Sequence, residues 1–299
     1  MSAPHDGGPV VGLIGLGNMG SAFAERLLDA GYALAVYNRT PAKARPLAER
    51  GATVAGSAGE LAAEADVVVT SLPDDSELES VAGEVTGAAK PGTVFVDTST
   101  VSAEASARVA ALAEDASLHY LRAPVSGNPV VVRAGNLAFI VSGSSVALER
   151  AEPVLRAIGR SVHVVGDAEQ ARVVKLATNL MIAGLAQLLA EALVLGEASG
   201  VSRASLLETI GDSAAGAPFV AYKTEPLLRD DYSATFTTAL MEKDLDLVLD
   251  AADTAGVSLP LAAELKALVR ATIEAGYGDD DLMALFPRLR SASDQEVLR

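Results

Sequence analysis

A short strand that runs into three spaced glycines and then a helix leaves a chain few choices of fold. Residues 10–38 read VVGLIGLGNMGSAFAERLLDAGYALAVYN, with Gly15, Gly17 and Gly20 in the spacing G-x-G-x-x-G after an apolar run. Gly15 permits the tight turn, Gly17 lets backbone approach a pyrophosphate, and Gly20 lets the helix pack on the strand, so helix N–H groups point at an anion. Phe23 and Leu27 lie one helical turn apart, Gly31 stands where a left-handed cap is expected, and residues 33–37 supply a second apolar run. The unit predicts a dinucleotide site containing Gly15, Leu16, Gly17, Asn18, Met19 and Gly20, against the plainer alternative of a structural turn.

Which nucleotide fits depends on the end of the second strand. An acid there holds the ribose 2′-hydroxyl of NAD, whereas a 2′-phosphate requires that charge gone and a cation near. This chain has Asn38, Arg39 and Thr40 and no acid, which favours NADP over NAD. Arg39 also reads as a solvated residue before a helix, with Thr40 as N-cap and Pro41 at the first helical position. Both readings can hold together.

Apolar runs then alternate with helical stretches as far as residue 166, which predicts an α/β fold with a doubly wound parallel sheet. The run at 66–71 ends in Leu72-Pro73, and proline breaks a strand where ligands lie, outside the carboxyl ends of a parallel sheet. The run at 93–97 ends in Thr98, Ser99 and Thr100, which either cap a helix starting near Ala103 or face a ligand. Beyond Gly166 the pattern turns helical, over 169–199, 202–213, 237–255, 260–275 and 281–289, with a frayed last nine residues. The expected division is a dinucleotide-binding domain at 1–167 and an all-helical domain at 168–299.

Composition removes several function classes. With no cysteine there is no disulfide, thiolate nucleophile or cysteine metal site, and His5, His119 and His163 lack ligand spacing, so no metal is expected. A net charge of −16 disfavours nucleic acid and anionic membrane surfaces. MSAPHDGGP carries no leader signature, and the uncharged run 176–190 falls short of a span, so a soluble cytoplasmic protein is expected. Glu191 reads as a buried structural partner, and the acidic runs at 230–231 and 279–281 read as solvated faces or caps. Residues 176–195 offer more apolar surface than a small helical domain covers, which predicts a homodimer or homotetramer through the long helix 169–199.

Lys175 enters that apolar stretch, and Asn179 follows at i+4 on the same face. A lysine so placed is either a general acid/base, its ammonium made more acidic by burial, or a first-turn residue snorkelling to water. The helix alone leaves both open.

Four motifs in order extend the reading: Gly15-Leu16-Gly17-Asn18-Met19-Gly20; Ala123-Pro124-Val125-Ser126-Gly127; Lys175 with Asn179; and Phe236 through Leu240 to Lys243-Asp244-Leu245. Together they resemble the β-hydroxyacid dehydrogenase family over residues 10–289. The resemblance implies that Lys175 is catalytic, that the Ser126-Gly127 turn holds the substrate carboxylate and that Asn179 hydrogen-bonds the substrate, with Asn128 beside the turn counted among the substrate-binding residues. It further implies that Lys243 reaches the cofactor and that Leu72, Pro73 and Thr100 line its nicotinamide half. The implied activity is hydride transfer between a small β-hydroxyacid and its semialdehyde or keto acid. The departures are Arg122 where the family usually has Asp, Asn128 and Pro129 after Ser-Gly, and Thr178 for a usual Asn. They cluster on the substrate side and point to a bulkier or less polar substrate. Imine reductases share the architecture but usually lack the lysine, and a silent cofactor-binding module would not need Lys175, Asn179 and Ser126 together.

Overall fold

Short valine-rich runs can be buried on both faces only if helices cover both sides of the sheet they form. In the computed structural model, which describes residues 8–297 and side chains through 292, this is the N-terminal architecture. The strands are β1 (Val11–Ile14), β2 (Leu34–Tyr37), β3 (Thr53–Val54), β4 (Val67–Thr70), β5 (Val94–Asp97), β6 (His119–Arg122), β7 (Val125–Ser126), β8 (Ala138–Gly143) and β9 (Ser161–Gly166). Alternate residues feed opposite layers: Leu13, Val67, Val69, Val94 and Val96 join Phe23 and Leu27 on one face. Ile14, Val68 and Phe95 join Leu61, Leu78 and Val109 on the other. Strands β1, β4 and β5 are buried along their whole length.

The strand order begins β3-β2-β1-β4-β5-β6, and every neighbouring pair in that run is parallel. This is the order in which nucleotide sites form at the carboxyl ends of the strands. β6 and β7 then act as one interrupted strand against β8, antiparallel at Arg122 with Ser142 and at Val125 with Phe139. Pro124 lies at the interruption, where it has no N–H to give and instead accepts from the Ile140 amide at 2.9 Å. β9 pairs parallel with β8 and ends the sheet.

The chain divides into two units, one through Lys175 and one from Leu176. The long helix Gln170–Ala198 begins in the first, where Ala171 and Arg172 are buried, so its first turn counts with the sheet. The second unit is helical: Arg203–Asp212, Pro218–Leu228, Thr238–Thr254, Pro260–Thr272 and Leu285–Val297. Leu189, Leu193, Phe219, Met241, Leu245, Leu265 and Phe286 form its core. Ser202 and Thr237 cap two of these helices, accepting from Ser205 N at 3.2 Å and Leu240 N at 3.1 Å.

Several expectations are corrected. The helix Pro218–Leu228 is absent from the sequence reading; Pro218 occupies the first helical position, where its missing N–H costs nothing. Of the last nine residues, expected to fray, 291–297 are helical and 298–299 lie outside the described residues. Glu191 is exposed, where it accepts from Gln187 at 2.7 Å. The helix Gln170–Ala198 has 29 residues and is by length and composition long and apolar enough to cross a membrane, where the uncharged run 176–190 alone falls short. Its inner residues Ala183, Ala186, Leu189 and Leu193 belong to the helical core. Of the two readings for the acidic runs, Asp281 meets the cap and not the solvated one: it caps Met283 N at 3.1 Å, is buried, and accepts from Lys223 at 2.6 Å through both oxygens. His5 and most of the segment examined for a leader lie outside the described residues.

Candidate functional site

The carboxyl ends of β1, β2, β4 and β5 bring residues 15–20, 38–40, Leu72, Pro73 and Thr100 to one edge of the sheet, while Lys243 belongs to the helical unit. Gly15 has φ +94°, and its amide donates to Tyr37 O at 2.9 Å, closing the turn after β1. A Cβ there would stand 2.3 Å from Ser71 O, and one on Gly20 would stand 1.9 Å from Gly15 O, so both glycines are required by packing. Around Gly17 nothing lies within 4 Å of the added carbon. The helix Asn18–Asp29 starts there without a side-chain cap or an acid in its first turn. An open backbone approach at an uncapped helix N-terminus fits an anionic pyrophosphate.

Asn38 acts on this loop from β2. Its Oδ1 accepts from Leu16 N at 2.8 Å and its Nδ2 donates to Thr40 O at 3.0 Å, so both ends of the amide hold backbone. Arg39 is exposed and forms an ion pair with Glu77 of the helix Asp75–Ala88. Thr40 occupies the N-cap position before Pro41, but its side chain makes no cap bond.

At β4 and β5 the loops are tied together. Leu72 N donates to Ser99 Oγ at 2.9 Å, and Ser99 Oγ donates to Asp97 Oδ1 at 2.6 Å. Thr70 Oγ1 gives Asp97 Oδ1 a second bond at 2.7 Å, while Thr98 Oγ1 donates to Thr70 O at 2.6 Å. Thr98, Ser99 and Thr100 therefore do not cap the following helix. Ser102 does, accepting from Ala105 N at 3.0 Å. Leu72 and Thr100 are half-buried and Pro73 is exposed on this edge.

The turn after β7 places Ser126 half-buried and Gly127 exposed at φ +142°. Asn128 caps the short helix Pro129–Arg133, its Oδ1 accepting from Val130 N and Val131 N, each at 3.0 Å. Its carbonyl end is thus committed to backbone. Val130, on the first turn of that helix, is exposed.

Lys175 is half-buried on the helix Gln170–Ala198. Three residues before it, Arg172 is fully buried and donates to Asp97 Oδ2 at 2.5 Å, Ser99 O at 2.8 Å, Tyr120 OH at 3.0 Å and Ser106 Oγ at 3.1 Å. Burial opposes the Arg172 charge, but Tyr120 and Asp97 outweigh it and the pKa is raised. Burial likewise pushes the Tyr120 phenol up to about 12 against the pull of Arg172. Arg122 lies over the other side of that residue, 4.9 Å from the ring centroid, and pairs with Glu169 at the start of the Lys175 helix. Arg122, a departure in sequence, thus has a local counter-ion. The sequence reading misses Arg172, Asp97, Tyr120 and Glu169 as a group. The available signal is an acid ending one apolar strand and an arginine beginning an apolar helix, both needing partners when buried.

In the helical unit, Asn179 donates through Nδ2 to Asp244 Oδ2, both residues buried. Lys243 Nζ stands 3.1 Å from Asp244 Oδ1, within ion-pair distance although not aligned as a hydrogen bond. Among the described residues no cluster of three metal-ligating side chains occurs.

Comparison with known proteins covers nearly the whole chain. Residues 10–166 match the NAD binding domain of 6-phosphogluconate dehydrogenase, and residues 170–289 match the NAD-binding domain of NADP-dependent 3-hydroxyisobutyrate dehydrogenase. A probable 3-hydroxyisobutyrate dehydrogenase of Mycobacterium tuberculosis is 35% identical over 292 residues, covering 95% of this chain and 99% of that protein. The solved structure of M. tuberculosis 3-hydroxyisobutyrate dehydrogenase with L-serine superposes with a TM-score of 0.86 at 34% identity, covering 95% and 99% of the two chains. Psf3 in complex with NADP+ and 2-OPP superposes with a TM-score of 0.87 at 25% identity, covering 94% and 100%.

Proposed function

Since this chain belongs to the β-hydroxyacid dehydrogenase family, whose members are NAD(P)-dependent oxidoreductases acting on small hydroxyacids, we propose that it uses NADP(H) to interconvert a small β-hydroxyacid and its semialdehyde or keto acid. The observation that carries this reading is the open, uncapped glycine turn at Gly17, with a half-buried lysine at the family's catalytic position. When bound, the reduced nicotinamide supplies a hydride to the carbonyl carbon, whose C=O electron pair moves to oxygen as the new C–H bond forms.

Lys175 then donates a proton from its ammonium to that oxygen, and takes it back in the oxidative direction. Ser126 and Gly127 offer hydroxyl and backbone N–H groups to the substrate carboxylate. Asn128 acts through the turn it caps, and Asn179 hydrogen-bonds the substrate by the family's pattern. The turn at 15–20 receives the pyrophosphate, Leu72, Pro73 and Thr100 line the nicotinamide, and Lys243 adds a cation for the cofactor. Arg39 favours a 2′-phosphate, which would displace Glu77 as its partner. Exposed Val130 beside the Ser126 turn, and Arg122 held by Glu169, favour a substrate less polar than the short semialdehydes.

We further read the protein as a cytoplasmic homo-oligomer. Met181, Leu188 and Leu195 recur every seventh residue on the helix Gln170–Ala198 and are 69%, 63% and 70% exposed, a stripe suited to a second copy of this chain.

Oxidation of NADPH measured against a panel of semialdehydes, keto acids and cyclic imines tests the reading, with Lys175→Ala as control. Turnover of a carbonyl acid that vanishes in Lys175→Ala supports it. Tight NADPH binding without turnover of any compound, or imine turnover untouched by the substitution, overturns it.

A further inference from the structure

Arg172 has no part in the chemistry just described, yet it is the most elaborately satisfied charge in the sheet unit. A guanidinium has five N–H donors in a rigid plane, and here three nitrogens reach four acceptors on three separate segments. Ser99 O and Asp97 Oδ2 belong to the end of β5, Tyr120 to β6, and Ser106 to the helix Ala103–Asp115. The partner carboxylate is itself fully used, because Asp97 Oδ1 takes bonds from Thr70 and from Ser99. Ser99 in turn accepts from Leu72 N.

One unbroken hydrogen-bonded path therefore runs from the first turn of the lysine helix, through Asp97 and Ser99, to the loop after β4. It starts at Arg172, three residues before Lys175, and ends at Leu72, which is assigned above to the nicotinamide ring. The Arg122–Glu169 pair closes the same first turn onto the end of β6, one step from the substrate turn. Together the two pairs carry no net charge.

We propose that Arg172 is a positioning residue for this reaction, its planar fork fixing Lys175 relative to the Leu72–Pro73 and Thr98–Thr100 loops. The inference rests on the proposed role of Lys175. A lysine in place of Arg172 keeps the charge beside Asp97 but cannot reach all four acceptors in one plane. Displacing a catalytic group by about 1 Å costs on the order of 100-fold in rate.

Arg172→Lys is therefore expected to lower kcat by roughly 10- to 100-fold. KM for the substrate and Kd for NADPH should stay near those of the parent, and the primary isotope effect from 4-deuterated NADPH should rise as hydride transfer becomes rate-limiting. In the cofactor-free protein, hydrogen exchange should speed up at the Leu72 amide and over residues 169–176, while β1 amides keep their protection. Lys223→Met, which breaks a comparably buried pair in the helical unit, should reduce stability but leave kcat per folded molecule unchanged.

An Arg172→Lys enzyme with parental kcat and parental exchange at Leu72 overturns the proposal. So does a loss of activity that matches the loss of folded protein, as in Lys223→Met. If Lys175→Ala retains turnover, the reading of the site fails instead, and exchange at Leu72 still judges the coupling.

Discussion

Each unit of this protein buries an ion pair, and the two pairs do different things. In the sheet unit Arg172 and Asp97 are almost wholly enclosed, and in the helical unit Lys223 and Asp281 nearly so. Arg172 spreads its donors over β5, β6 and a helix, all of which lead to the edge where the glycine turn lies. Lys223 concentrates its donors on Asp281 and Thr235, which hold the 230–237 segment and the 278–282 turn to the helix Pro218–Leu228. In the role proposed above, the guanidinium fork joins segments that must keep their geometry for chemistry. A single ammonium nails down a chain return. The comparison teaches that burial by itself does not mark a functional charge; what its partners are attached to does.

The largest effect that could break this contrast lies at Lys175. Lys175→Ala should reduce turnover by about 100- to 10,000-fold with NADPH binding retained, measured by steady-state kinetics and cofactor titration. A small loss would remove the reason for treating the sheet unit's cluster as anything but structural. Next comes Lys223→Met, which strands a buried carboxylate and should cost about 3–5 kcal/mol of stability in denaturant unfolding. The double variant with Asp281→Leu should recover only part of that loss, since no charge is left uncompensated but the bonds that Asp281 accepts from Thr235 N and Met283 N are lost as well.

A smaller and more local test separates the two kinds of glycine in the turn. Gly20→Ala drives a carbon to 1.9 Å from Gly15 O and should destabilise the fold, by about 1–3 kcal/mol or more. Gly17→Ala meets no atom within 4 Å and should leave the melting temperature alone while weakening NADPH binding. Equal effects on both properties in both variants would mean the turn is only structural.

How much of this was legible in advance follows the range of the interactions. The sheet was readable because Val67–Thr70 and Val94–Asp97 are buried on both faces and bounded by turn residues, a pattern local to each run. The glycine turn was readable for the same reason. What escaped depends on partners far away in sequence. Thr98 and Ser99 look like caps until Thr70 and Asp97 claim their hydroxyls, and Arg172 meets Asp97 across 75 residues. Asp281 resembles its exposed neighbours until Lys223 is set against it across 58 residues. Pro218 and Pro226 hid a helix, since one lies at a position where proline is favoured and the other in a last turn stabilised by the core contact of Leu227. Local patterns were visible in the sequence, and buried charge pairing was not.

The smallest effect is silent at neutral pH and appears only in alkali. Tyr120 loses its proton at about 12 in the folded chain, because burial disfavours the phenolate, whereas an unfolded tyrosine ionises near 10.0. Between those values the unfolded state binds fewer protons, so the folded state is progressively disfavoured as pH rises. The contribution is complete below pH 10.0 and is lost on the way to about 12. Burial also raises Tyr222 and Tyr232 of the helical unit to about 12, so both units should weaken in the same window. Tyr120→Phe removes the sheet unit's share and, with it, one of the four acceptors of Arg172. Its alkaline melting curve should therefore fall less steeply than the parent's, and its kcat at neutral pH should drop by less than that of Arg172→Lys, since Asp97, Ser99 and Ser106 still hold the fork. A steeper alkaline loss in Tyr120→Phe would show that the phenol is not the group that resists ionisation there, and would return the sheet unit's cluster to the same structural footing as Lys223 and Asp281.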